Sequence, residues 1–564
     1  MVDEPHFNLI DAAWIPVLDR AGASREVSLR EVFRQADELV AITGELPTVS
    51  FALLRVMLAV LHRAIEGPTD ALHWSETRND WATVVEDVEG YLVDYYDRFW
   101  MRHPTHPFMQ VASLRGCNPN TSVKPISQLI VDGTGSENKA ALFSTRTEDS
   151  IRGIGWGEAA RWLVHLHAYD IAGNHTGAVG DPRVMGGKGP GIGTGWAGQF
   201  GGVHLVGTSM RETLLLNLLP IARGTSGVEV DAEGDLPVWE RPPLTALPET
   251  WATGDGSKRA YRGPTGPADV YTWPARRVLL WGSDAVVTGL VNCQGDRAQS
   301  GRTPPENWMR VEPMSAWCLS AARSKAAGGR SIYYPHKHDP NKAFWRGLSA
   351  LLPHRTGRSH SGGEPDRTIP PALAKWAGRL CASENGLGPI QTWQAVGMVY
   401  GPNASSFHEV IDDRLMLPAA LFADHTLAQE AVDAVEAAES AVSTLGTLAQ
   451  DVALAAGGSP KSGAAWQEAQ AGAYSDLDHR FRAWVRDLTP KGATEHRAVW
   501  QRTVWDLMTR RADEIVDTAG PAALKGRTFG GQLRDAGLAM PDWLCTGSAR
   551  SCVKCFRTRS MTTA

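Results

Sequence analysis

An α+β protein, with a large mixed α/β N-terminal domain followed by a C-terminal four-helix bundle, is the fold class that the sequence predicts. Three observations predict it. At 564 residues the chain is too long for one ordinary core, so two or more domains are expected. Gly and Pro are frequent up to about residue 410, and helix-period and strand-like segments mix there. Beyond that point apolar residues recur at helical spacing. The expected boundaries are 1–410 for the mixed domain, 411–545 for the bundle and 546–564 for a basic, disordered tail.

The elements follow in order. Phe7 to Val17 (FNLIDAAWIPV) reads as a short strand-like opening, and Pro47 to Ile65 (PTVSFALLRVMLAVLHRAI) as a buried helix. Between Gly173 and Gly207, 13 of 35 residues are glycine. That density costs chain entropy and suits backbone that approaches something closely or adopts positive φ. A flexible surface loop is the other reading. Gly191-Ile192-Gly193-Thr194-Gly195 lacks the spacing, the preceding strand and the ribose-binding acid of a dinucleotide fingerprint, and no Walker sequence ends the run. Ser209-Met210-Arg211-Glu212 then forms a Ser-x-x-Glu capping box opening a helix. Arg276 to Cys293 reads as a hairpin joined through Gly-Ser-Asp. No solenoid or propeller period occurs.

In the bundle, Ala428, Ala431, Val435, Ala438, Val442, Leu445, Ala449 and Val452 alternate at spacings of three and four. Tyr474, Leu477, Phe481, Trp484 and Leu488 repeat the pattern, and Trp500, Val504 and Leu507 start it again. Such spacing puts each set on one stripe of a helix. Breaks at 457–463 and 490–492 let successive helices run antiparallel, and a further helix near Ala522 to Leu538 completes four.

Composition is that of an ordinary globular protein, with 43% hydrophobic and 21% charged residues. Asp3, Glu4 and Asp11 interrupt any signal peptide. Apolar runs such as Leu214 to Ala222 are broken by Asn217 and Pro220, short of a membrane span. Seven scattered cysteines do not form a disulfide framework, so a cytoplasmic location is expected.

A net charge of −6 provides no global attraction to phosphates, so nucleic-acid contact would need a local basic patch. One exists: Arg323, Lys325, Arg330, Lys337, Lys342, Arg346, Arg355 and Arg358 oppose only Asp339. Tyr333, Tyr334, Phe344 and Trp345 are interleaved with them. The mixture suits a surface following a phosphate backbone, or equally a solvated face beside a core strand.

The chemistry-bearing clusters are sparse. His165, His167 and Asp170 (HLHAYD) invite a metal reading, but on a helix residues two apart point away from each other. His336, His338 and Asp339 (PHKHDP) resemble half of a hydrolase motif without its remaining ligands. A metal-dependent hydrolase using His336 and His338, or His165 and His167, is the alternative function. Cys545, Cys552 and Cys555 give three thiols where a structural zinc site wants four ligands. No nucleophile elbow appears. These residues specify no catalytic constellation, cofactor or metal.

Phe7-Asn8-Leu9-Ile10-Asp11 leading into Trp14-Ile15-Pro16-Val17, His106-Pro107-Phe108-Met109-Gln110, Pro190 to Trp196, Met210 to Asn217 and Tyr334 to Pro340 form five landmarks in order. Together they resemble the CasA family, the large subunit of the type I-E CRISPR Cascade complex, over nearly the whole chain. A mixed domain followed by a helical bundle is that family's architecture.

The resemblance implies a non-catalytic subunit near the 5′ handle of the guide RNA, assembled with other Cascade subunits. It implies recognition of the protospacer-adjacent motif in double-stranded DNA from the minor groove, opening of the adjacent base pairs, and recruitment of a helicase-nuclease. Gly191, Gly193 and Thr194 correspond to the family's minor-groove loop, with Thr194 where some relatives have Gly. Lys325 corresponds to its groove-reading lysine, and Phe143 to the aromatic of the loop contacting guide handle and flank. Tyr400 to Ser405 resembles the wedge hairpin. The family's wedge glutamine is absent, and Asn403 or Ala404 stands in its place beside Ser405. The family's Cys cluster is reduced to Cys293, so no metal is carried over.

Overall fold

The computed structural model describes residues 4–118, 120, 122–131, 146, 150–220, 228, 230, 233–247, 253–254, 258–259, 262–297, 311–353, 368–382, 387–459, 462–490, 492–525, 527–529 and 532–534. The chain divides into two compact units, Met1–Phe344 with Thr356–Arg414, and Trp345–Arg355 with Leu415–Ala564. The segment Trp345–Arg355, which the sequence groups with the basic patch, therefore belongs to the second unit.

The first unit is mixed. The strand-like opening forms His6–Asn8, which pairs with Trp100–Arg102, and Ile15–Asp19, the centre of a three-stranded sheet between Ser24–Val27 and Leu39–Ile42. The apolar run becomes the helix Pro47–Ala64, with Pro at its first position, where a missing N–H costs nothing. It is long and apolar enough to cross a membrane, yet 78% of it is buried, as suits a core helix. Arg276–Gly282 and Val287–Gln294 form the expected antiparallel hairpin, extended by Lys124–Pro125. Gln110 ties neighbouring segments to it: its amide donates to Met101 O at 2.8 Å and accepts from Leu280 N at 2.9 Å.

A second sheet has the order Phe407–Pro418, Ile390–Tyr400, Gly202–Val206, with Trp393 opposite Leu205 and Ala395 opposite Val203. The Ser209 hydroxyl caps the helix Met210–Leu216 by accepting from Glu212 N. The Glu212 carboxylate reaches one residue further back than a capping box requires, to Thr208 N and Oγ1.

The second unit is helical: His425–Ala455, Ala464–Arg486 and Ala493–Asp517. The eight stripe residues from Ala428 to Val452 are all buried, as are Leu477, Phe481, Trp484, Leu488, Trp500, Val504 and Leu507. Asp424 caps the first helix by accepting from Thr426 N and Leu427 N. The fourth helix is shorter than the sequence reading. It spans Pro521–Lys525 and packs on His425–Ala455, and Arg527–Phe529 and Gln532–Arg534 then pair as antiparallel strands. Gly526 and the Gly530-Gly531 dipeptide oppose helix continuation and favour a hairpin, a signal that the apolar periodicity masks.

Trp345 and Arg346 bind this unit. The Trp345 ring stacks on Phe481 with centroids 4.5 Å apart and donates Nε1–H to Asp478. Arg346 pairs with Glu439 at 2.9 Å and lies 3.5 Å from the Tyr474 ring centroid.

Candidate nucleic-acid interface

The helix Trp156–Tyr169 is buried nearly all round, and its C-terminal end is a shelf on which two other segments rest. The glycine loop lies on one side. Gly195 N donates to Asp170 O at 2.9 Å and Trp196 N to His167 O at 3.3 Å. The Trp196 indole N–H reaches the buried Glu312 at 2.7 Å, anchoring the loop's end. Gly193 has φ +91°, which disfavours any side chain, and a Cβ on exposed Gly191 would meet no protein atom. Thr194 is only 7% exposed, so the residue belongs to the loop's packing rather than its surface.

The Ile390–Tyr400 and Phe407–Pro418 strands supply the second segment. Their tip is a turn over Pro402–Ala404 in which Asn403 and Ala404 are left-handed, with φ 56° and 53°. Two consecutive non-glycine residues in this region carry strain. Hydrogen bonds hold them there, Gly401 N to Ser406 O at 3.0 Å and Ala404 N to Gly401 O at 2.9 Å. Asn403 and Ser405 are exposed. Ala404 O accepts from Ala172 N at 2.7 Å, and the Tyr400 hydroxyl donates to Tyr169 O at 2.6 Å. The fold thus brings Gly191, Gly193 and Thr194 to one shelf with Asn403, Ala404 and Ser405.

The basic patch splits. Lys325 is exposed on the short helix Ala321–Ala326. Phe344, Trp345 and Arg346 are interior or paired residues, so they offer no nucleic-acid surface. Arg355, Arg358 and Phe143 lie outside the described residues. Lys337, one of the eight basic residues of that patch, meets both segments. Its Nζ is 3.4 Å from Gly198 O and 5.7 Å from the Tyr400 ring centroid, and burial lowers its pKa. The signal was its position between two prolines and two histidines, a fixed turn.

A family model described as CRISPR-associated protein Cse1 matches residues 8–511. The chain belongs to the CRISPR-associated Cse1 family. The Cse1 crystal structure from Thermobifida fusca is 36% identical, with a TM-score of 0.82 over 98% of this chain and 97% of that one. The CasA/Cse1 protein of Thermus thermophilus is 32% identical over 368 residues, which are 62% of this chain and 61% of that protein's length. A chain titled CRISPR RNA-guided surveillance complex shares the fold at 18% identity, with a TM-score of 0.62 over 91% of this chain and all of that one.

The histidine clusters of this Cse1-family chain do not converge as a hydrolase site would require. His165 Nε2 meets Thr48 Oγ1 at 3.0 Å, while His167 Nε2 meets Met109 O at 2.9 Å. Burial pushes His165 down to about 3 and His167 to about 4, so both rings are neutral. His338 Nε2 is likewise taken up by Gly202 O at 3.0 Å, and burial pushes neighbouring His336 down to about 4.

Asp97, His103 and His106 are the one group with cation-ligand spacing among the described residues, their donor atoms lying within 4.8 Å of one another. His103 Nδ1, however, accepts from Thr105 N at 3.2 Å and His106 N at 3.1 Å. Its neutral ring therefore carries the proton on Nε2, the atom facing Asp97, and offers no lone pair there. The group reads as a hydrogen-bonded turn, with His106 Nε2 2.6 Å from Asp97 Oδ2. Cys545, Cys552 and Cys555 lie outside the described residues.

Proposed function

We propose that this chain is the non-catalytic large subunit of an RNA-guided antiviral surveillance complex of the type I-E Cascade class, working in the cytoplasm. It recognises the protospacer-adjacent motif in double-stranded DNA from the minor groove and helps open the duplex for guide RNA invasion. Its partners are the other Cascade subunits, the 5′ handle of the guide RNA, the target duplex and a separate helicase-nuclease.

One observation carries this reading: an open glycine loop and a strained hairpin tip rest on the end of a single helix. The minor groove is narrow and its donor and acceptor pattern is degenerate. A loop without side chains at Gly191 and Gly193 suits backbone entry into it. The stiff tip at Asn403 and Ala404 suits a wedge against the first base pair, whose unpairing costs about a few kcal/mol that binding and the incoming guide must offset. Lys325 and Lys337 supply local positive charge to a chain that is acidic overall. A subunit can be acidic overall because its partners complete the electrostatics.

The test is binding of duplexes with varied flanking bases to the guide-loaded complex, with and without this chain, at fixed salt. Wild type is compared with Lys325→Ala, Lys337→Ala and Gly191→Val. Flank discrimination should require the chain, and Gly191→Val should abolish it. Equal binding without the chain would sink the proposal.

A further inference from the structure

The glycine loop and the hairpin tip come from segments about two hundred residues apart, yet few atoms separate the bonds that hold them. Arg276 lies at the centre of those bonds. Its side chain is 0% exposed, and the acceptors it reaches belong to the shelf, the loop or the residue just before it in the chain. Nε donates to Asp170 Oδ2 at 2.6 Å, Nη2 to Ile171 O at 2.7 Å and Gly193 O at 2.9 Å, and Nη1 to Ala275 O at 3.0 Å. The fork therefore fixes the left-handed Gly193 and the stretch just after the helix simultaneously.

That stretch also carries the hairpin. Ala172, one residue beyond Ile171, donates to Ala404 O, and Tyr169 O accepts from Tyr400. The fit leaves no slack, since a Cβ on Gly198 would collide with the Tyr400 hydroxyl. Asp170 completes the hub. It accepts from His175 Nε2 at 2.8 Å, Asn292 Nδ2 at 3.3 Å and Ile171 N at 2.9 Å. Burial opposes its ionisation, but Arg276 and His175 outweigh that and hold the carboxyl well below the usual carboxylate range.

We infer that Arg276 is a positioning residue that locks the glycine loop and the hairpin tip into one body, so that flank recognition and strand opening are mechanically a single event. The inference rests on the proposed function for what the two segments touch, but not for the lock itself. A planar fork presents donors from three nitrogens at fixed angles to three separate segments, whereas an ammonium of the same charge presents its three from a single nitrogen.

Arg276→Lys is therefore the informative variant, because it keeps Asp170 paired while removing the fork. In the isolated chain, amide hydrogen exchange should rise about tenfold in 191–197 and 400–406 together, the expected result of losing one or two hydrogen bonds worth ~1 kcal/mol each. The melting temperature should stay close to wild type. Tyr400→Phe is the second variant, and it deletes one hydroxyl and leaves the ion pair intact. It too should quicken exchange in both segments. Faster exchange in only one segment, or in neither, overturns the lock.

The second readout uses the guide-loaded complex with 2-aminopurine at the base pair beside the flank. Arg276→Lys should lose flank discrimination and opening in parallel, whereas Gly191→Val should lose discrimination with its isolated-chain exchange unchanged outside its own turn. Coupled exchange without any change on DNA would leave the lock standing and overturn the proposed function.

Discussion

Arg55 and Glu312 stand 257 positions apart and close a two-pronged ion pair inside the first unit, Nη1 to Oε1 at 3.0 Å and Nη2 to Oε2 at 2.8 Å. The pair joins the core helix to the end of the glycine loop, because the same carboxylate accepts the Trp196 indole N–H. Tyr271 covers the guanidinium, its ring centroid 4.5 Å from Cζ.

Glu312→Gln should therefore be costly, since it leaves Arg55 charged and unpaired in the interior. A loss of about 3–5 kcal/mol is expected for breaking one side of such a pair. Replacing both residues, Arg55→Met with Glu312→Leu, should cost much less. Urea unfolding of the two variants compares them directly.

Stability should fall on mild acidification. Burial pushes His62, His167 and His336 down to about 4, and His165 and His204 to about 3. Unfolded histidines protonate near ~6.5, so between that pH and about 4 the unfolded chain binds more protons than the folded one. Stability therefore drops as pH falls through this window. The slope from urea melts at stepped pH should approach several protons, and His165→Gln should reduce it by about one.

The two ends of the glycine loop should respond oppositely to alanine. Gly191→Ala meets open space and should be neutral or stabilising by up to about 1 kcal/mol through the unfolded chain. Gly198→Ala runs into Tyr400, and Gly193→Ala must keep φ +91°, so both should destabilise. Thermal melts of the three variants test the ordering.

In the second unit, Trp345→Ala should lower stability by about 3–5 kcal/mol, the usual cost of removing a large buried aromatic. It loses the stack on Phe481 and leaves Asp478 without its indole donor. Limited proteolysis of the Leu415–Asp517 region should accelerate. Unchanged protection would show that the segment is dispensable to the bundle.

Much of this was legible in the residues. The 3/4 spacing from Ala428 to Val452 marks a buried stripe because helical geometry is local, and Pro47 at a helix start and Ser209 at a cap are local signals too. The glycine density marked a special loop for the same reason. Arg346 reads in sequence as one of eight basic residues in a patch, yet it is spent on Glu439 and Tyr474, partners more than ninety positions away. Lys337 reads as one more member of the same patch, because its meaning lies in nearness to Gly198 and Tyr400.

By itself, then, the sequence determined the periodic elements, the glycine-dense stretch and the likeness to a known family, all of which depend on near neighbours or on ordered motifs. Only the tertiary structure decided that Thr194 is buried, that Thr48 takes up His165 and Met109 takes up His167, and that Arg276 ties Gly193 to the residues supporting Ala404. The reason is physical: a buried guanidinium takes its meaning from acceptors that the fold delivers, and their spacing along the chain carries no trace of that arrangement.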